Sequence, residues 1–133
     1  MKLFKSLLAL TLIFAFALTV GAQKKNKGVY LYAVSTSFAD SIVSVSDIQL
    51  LDTVSINKEG MLPYSPNYSG QFKNYLEIAE NRTNQVVAVF YAYKMKTVKK
   101  ERSKIISRYK KKMKAKIDEI PSSDFVFTPI VSE

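Results

Sequence analysis

Twelve of the twenty lysines and arginines in this 133-residue chain fall between residues 94 and 116. Ten are lysines, the others are Arg102 and Arg108, and Glu101 is the one acid among them, a local net charge of +11. On a helix of about 3.6 residues per turn, Lys100, Lys104, Arg108, Lys111 and Lys114 line one face, with Ser107 among them. The chemistry open to such a face is electrostatic. Like charges four residues apart repel by a few tenths of a kcal/mol per pair, and only Glu101 can offset them within the helix. Two readings stand side by side. A lysine-rich helix back is ordinarily a solvated surface, because surface charge alone says little about partners. The other reading is contact with a polyanion, in a row about 20 Å long at about 1.5 Å per residue.

Other chemistry finds little support. The chain has no Cys, His or Trp, which removes the usual ligands of zinc and copper and the commonest general base near neutral pH. No metal site, cofactor or catalytic residue is expected. Ser-x-x-Lys occurs at Ser55–Lys58 and Ser107–Lys110, but without the Ser-Asp-Asn and Lys-Thr-Gly partners that this nucleophile requires. Asp47, Asp52 and Glu59 lie near one another in sequence, as strand ends and loops commonly arrange. A small carboxylate-dependent hydrolase or other enzyme of unknown substrate is the competing class; a non-catalytic binding or structural module is favoured. Tyr30 and Tyr32 share one face of a strand, and so do Tyr91 and Tyr93. Matching faces would place four rings on one side of a sheet, as a stacking or docking platform. Plain packing is the simpler account.

The elements that must position these residues follow from periodicity. Val29–Val34 is continuously apolar and β-forming, which predicts an interior strand. A turn is expected at Asp40-Ser41, then a hairpin partner over Ile42–Leu51 with Ile42, Ser44, Ser46, Ile48 and Leu50 on one side, and a bulge near Asp52. Gly60, Pro63 and Pro66 predict a loop over 57–68. Ser69 can cap a helix to about Glu80 in which Phe72, Tyr75, Leu76 and Ala79 fall on one face. Gln85–Tyr93 reads as a central strand. A second helix is expected over Val98–Ile117, capped by Thr97, with Val98, Ile105, Ile106, Tyr109, Met113 and Ile117 on its apolar arc. Arg102 falls inside that arc and needs a partner or a path to water. Phe125–Ile130 reads as a last strand, at an edge because of Pro129. The expected fold is a single two-layer α+β sandwich: a β-β-α-β-α-β mixed sheet with two helices on one face.

The first 22 residues carry an address. Lys2 and Lys5 precede the uncharged run Leu7–Val20, which ends in Val20-Gly21-Ala22. That is the order of a secretory signal peptide with a cut before Gln23, and the apolar run is shorter than the roughly 20 residues that span a bilayer. The expected organisation is a signal peptide over 1–22, a flexible basic leader over 23–27, and one domain over 28–133, with no transmembrane span after cleavage. Outside 94–116 the processed chain has six bases and ten acids, so its positive charge is concentrated in one segment. An exported chain should not meet cellular nucleic acid. The candidate partners of the basic face are an anionic envelope component or an acidic protein.

The signal end VGAQ, the opening GVYLYAVSTSFADSIVSVSDIQLLD, the QVVAVFYAYK strand with its basic helix, and the terminal DFVFTP together resemble small exported proteins of unknown function from Bacteroides-type gut bacteria. The resemblance implies a periplasmic or secreted location and supplies no activity. It also implies candidate O-glycosylation at Ser41 and Thr53, within the Asp-Ser/Thr-apolar sequences at 40–42 and 52–54. Mass spectrometry of protein purified from its native host is expected to find a chain beginning at Gln23. An intact Met1–Ala22 on the mature species would overturn the export reading.

Overall fold

The apolar stretch after Gly28 forms the strand on which the others are hung. In a computed structural model that describes residues 28–130, β1 spans Val29–Ser37. The expected signal peptide over 1–22 and basic leader over 23–27 fall outside the described residues. Eight residues of β1, Tyr30 to Ser37, pair antiparallel with β4 (Gln85–Ala92). Its other edge takes β2 (Ile42–Ser46) along the C-terminal half and β3 (Gln49–Leu51) along the N-terminal half. β5 (Lys116–Ile120) adds to β2 in parallel. The result is a mixed sheet with β4 at one edge and β5 at the other, an α+β fold close to the expected element order.

β2 and β3 replace the single expected partner strand. β2 pairs Val34 with Val45, whereas β3 pairs Leu31 with Gln49, one residue out of step. The extra residue is a bulge. There the Ser46 hydroxyl accepts the Ala33 N–H at 2.8 Å, in place of a backbone carbonyl. The bulge falls at 46–48 rather than near Asp52, and it moves Ile48 and Leu50 to the opposite face from Ser44 and Ser46.

Two helices cover the sheet, one on each face. α1 (Ser65–Ile78) buries Tyr68, Phe72 and Leu76 against Val29, Leu31 and Ala33. α2 (Met95–Lys112) buries Val98 against the face of Tyr32, Val34, Val43 and Val45. The expectation of both helices on one face is therefore corrected, and the reason is directional. The first crossover passes from β3 across β1 to β4, and the second returns from β4 across the sheet to β5. Two crossovers of the same hand running in opposite directions must lie on opposite faces. The same topology puts β4 at an edge, where its apolar composition had suggested a central position. β1 is the central strand.

Element ends also shift. α1 starts at Ser65 with Pro66 in its first turn, a position where the missing N–H costs nothing. Ser69 is inside the helix and donates to Ser65 O rather than capping. α2 starts at Met95 after Lys94, not at a Thr97 cap, and stops at Lys112, so Ile117 belongs to β5. Phe125–Ile130 is not a strand. Two glutamine side chains serve it as a neighbouring strand would. Gln49 donates to Phe125 O and accepts the Phe127 N–H, and Gln71 does the same for Thr128, all at 2.8–2.9 Å. Tyr68 OH accepts the Ile130 N–H at 2.8 Å. These bonds seat Phe125 and Phe127 against Phe72 and Tyr68.

Phe72 meets Phe125 edge-on at 5.1 Å and Tyr75 in a stack at 6.4 Å. Phe72→Ala is expected to lower the stability by about 3–5 kcal/mol, the usual cost of emptying a buried aromatic site. Chemical denaturation measures it; an unchanged midpoint would mean that α1 is not docked by this residue.

Candidate functional site

The basic face exists because the opposite side of α2 is docked. Val98 is fully buried, and Ile105, Ile106 and Tyr109 pack beside it on the sheet. Lys100, Lys104, Arg108 and Lys111 all lie exposed. They form the expected row along the helix, about 17 Å from Lys100 to Lys111 at about 1.5 Å per residue. Lys114 is exposed too but lies beyond the last turn, in a left-handed conformation with φ of 51°. The helix closes there as Ala115 N–H donates back to Tyr109 O at 3.1 Å.

None of these five bases forms an ion pair among the described residues. The charges that α2 does pair sit on its sheet side. Arg102, expected to need a partner, donates Nε to Ser46 O and Nη2 to Glu119, both at 3.0 Å. Glu101 accepts the Tyr32 hydroxyl at 3.1 Å. The one acid of the basic segment is thus turned toward the sheet, and the outward row keeps its full charge.

Beside the row lies a cavity of about 320 Å³ between α2 and the β1–β4 face. Phe90, Ala88 and Val86 form its floor, Ile105, Tyr109 and Met113 one wall, and Arg108 is its one charged lining residue. Sequence reasoning missed it because β4 was expected to be covered on both faces. The signal was present in the run Val86–Phe90, which an edge position leaves partly open.

The tyrosines do not form one platform. Leu31 pairs with Tyr91 across the β1–β4 ladder, which puts Tyr91 on the α1 face and leaves Tyr30 and Tyr32 on the α2 face. Tyr32 stacks on Phe90 at 5.3 Å inside the core. Tyr93 OH accepts the Ile56 N–H and donates to Ile56 O, tying down the loop before α1. The candidate carboxylates lie in turns and loops. Asp47 accepts the Ser122 N–H at 3.0 Å, Asp52 lies exposed just past β3, and Glu59 lies exposed in the loop. Among the described residues no three His, Cys, Asp or Glu are grouped to hold a metal, and no helix is long and apolar enough to cross a membrane. Ser41 and Thr53, the candidate O-glycosylation residues, are both exposed, one in the β1–β2 turn and one just past β3.

A buried polar group on the α1 face escaped sequence reasoning altogether. Arg82 donates to the Ser44 hydroxyl and approaches Asp40 at 3.8 Å and Asp118 at 3.7 Å. Its Nε is buried with no hydrogen-bond partner among the described residues. Beside it the Ser35 hydroxyl donates to Gln85 Oε1 at 2.6 Å. Arg82 links the segment after α1 to the β1–β2 turn and to β5, a structural role. No protein-family model, no curated protein and no solved structure matches this chain.

Burial pushes the Tyr32 hydroxyl well above the ordinary phenol range, and the Glu101 charge and hydrogen bond push it further, against a smaller lowering by Arg102. The folded state therefore holds this proton more tightly than the unfolded chain. Its contribution to stability is complete below the ordinary phenol pKa of about 10 and is lost as pH rises beyond it. Tyr32→Phe is expected to cost about 1 kcal/mol at neutral pH and to flatten the alkaline loss of stability. Denaturation curves at neutral and strongly alkaline pH test this; equal slopes in parent and variant would contradict it.

Proposed function

We propose that this protein is an exported, non-catalytic binding or structural module of the bacterial envelope, periplasmic or secreted. Its contact is an anionic envelope component or an acidic partner protein, engaged through the outward face of α2. The observation that carries this reading is the unpaired row Lys100, Lys104, Arg108 and Lys111 on a helix docked by its other side. Docking holds the charges in a fixed line rather than on a flexing tail, so less conformational entropy is lost when a polyanion binds. Each base near an anionic bilayer contributes about 1 kcal/mol, enough for the row to give measurable binding. The export signal supports the location, and the lack of Cys and His supports a non-catalytic role.

Binding to anionic vesicles or envelope extract is expected to weaken steeply with salt, as the Debye length falls from about 10 Å at 0.1 M to about 3 Å at 1 M. Reversing Lys104, Arg108 and Lys111 to Glu should abolish it with the fold intact, because all three side chains lie outside the core. A triple variant that binds as well as the parent would reduce the row to a solubilising surface.

A further inference from the structure

Three elements have a terminus at the same end of the sheet. β1 runs toward the turn at Phe38–Ser41, and β4 begins beside it, with Ser37 paired to Gln85. α2 leaves the far end of β4 and returns alongside it. Two contacts place its C-terminus at the turn: Lys116 N–H donates to Ser41 O at 3.0 Å, and Thr36, Val86 and Met113 line one cavity. This end therefore gathers an apolar group and a basic one. Phe38 is 98 % exposed, Met113 65 % and Val86 56 %. Lys110, Lys111, Lys112, Lys114 and Lys116 stand exposed in the segment that closes α2 and opens β5. The nearby acids Asp40 and Asp118 are drawn to Arg82.

Phe38 has no part in the fold. The turn is closed without it, by Ser37 Oγ accepting the Ala39 N–H and Asp40 Oδ1 accepting the Ile42 N–H, each at 3.0 Å. A soluble polyanion or an acidic peptide would engage the lysines and leave the ring in water. A surface that is anionic outside and apolar just beneath satisfies both groups, and a bilayer of acidic lipids is such a surface.

We infer that this end of the domain docks on an anionic lipid bilayer, Phe38 entering the acyl region while the lysines of 110–116 meet the headgroups. The inference rests on the anionic-contact reading above and narrows it, from the length of the helix to its C-terminal end and from any polyanion to lipid. One inserted ring and a lysine cluster make a reversible, salt-sensitive attachment, not an anchor.

The test uses the chain from Gln23 onward, because residues between Val29 and Ile130 form both core clusters. Its partner is vesicles of phosphatidylglycerol and phosphatidylethanolamine, with phosphatidylcholine vesicles as the neutral control. The chain has no Trp, so Phe38→Trp installs the single indole. Its emission is expected to shift to the blue on the acidic vesicles and to be quenched by lipids brominated in their acyl chains. Phe38→Ser should weaken partitioning by about tenfold or more, the equivalent of one buried aromatic, with circular dichroism unchanged. An indole that stays in water, or partitioning that Phe38→Ser leaves unaltered, overturns the insertion. If the Lys104, Arg108 and Lys111 reversal still abolishes binding in that event, the helix contact survives without it. Binding to soluble polyphosphate but not to vesicles also overturns the insertion, and binding that neither set of variants affects overturns both readings.

Discussion

β1 has no solvent side, and the placement of every other element follows from that. Its edges are taken by β4 on one side and by β2 with β3 on the other. Val29, Leu31 and Ala33 need an apolar cover on one face, and Tyr32 and Val34 need one on the other. Two amphipathic helices on opposite faces meet both needs. A strand buried on both faces gains hydrophobic stabilisation from every residue rather than every second one. In a domain without disulfides, cohesion rests on such packing.

Polar groups drawn into this core are matched individually. Ser46 Oγ restores the hydrogen bond that the bulge removes from Ala33. Ser35 enters the sheet interior paired with Gln85. Gln49 and Gln71 lend their amides to a C-terminal segment that has no strand beside it. Ser46, Ser35 and Gln49 thereby avoid the cost of an unsatisfied buried donor or acceptor, which exceeds the gain from an ordinary hydrogen bond, whereas the Gln71 bonds lie exposed. Among the described residues Arg82 Nε is the exception, at a guanidinium whose other nitrogens reach Ser44, Ile42 O, Asp40 and Asp118.

Electrostatics follow from the docking of α2. The helix turns Glu101 and Arg102 toward Tyr32, Ser46 and Glu119. The acid that could have moderated the basic segment is therefore occupied at the sheet side, and repulsion among the outward lysines goes uncompensated within the helix. An anionic surface would relieve that repulsion on contact. The hairpin turn adds an apolar residue to the same end of the molecule.

The α+β class, both helices, part of the apolar face of each and the basic face could be read from the sequence, because periodicity and charge are local properties that survive any arrangement of the elements. Ala79 and Met113, expected on those faces, are exposed, and Tyr68, expected in the loop, is buried by α1. Only the tertiary structure decided where the elements lie. QVVAVFYAY is apolar enough for a central strand, yet it forms an edge, since edge or centre depends on which strands remain to pair with it. Ile117 fits the helical arc of α2 but is taken by β5, where pairing with β2 outweighs one more turn of lysine-rich helix. The separation of Tyr30 and Tyr32 from Tyr91 and Tyr93 was invisible for the same reason. Alternation fixes a face only relative to its own strand, and the register between strands is set by the packing of the whole sheet.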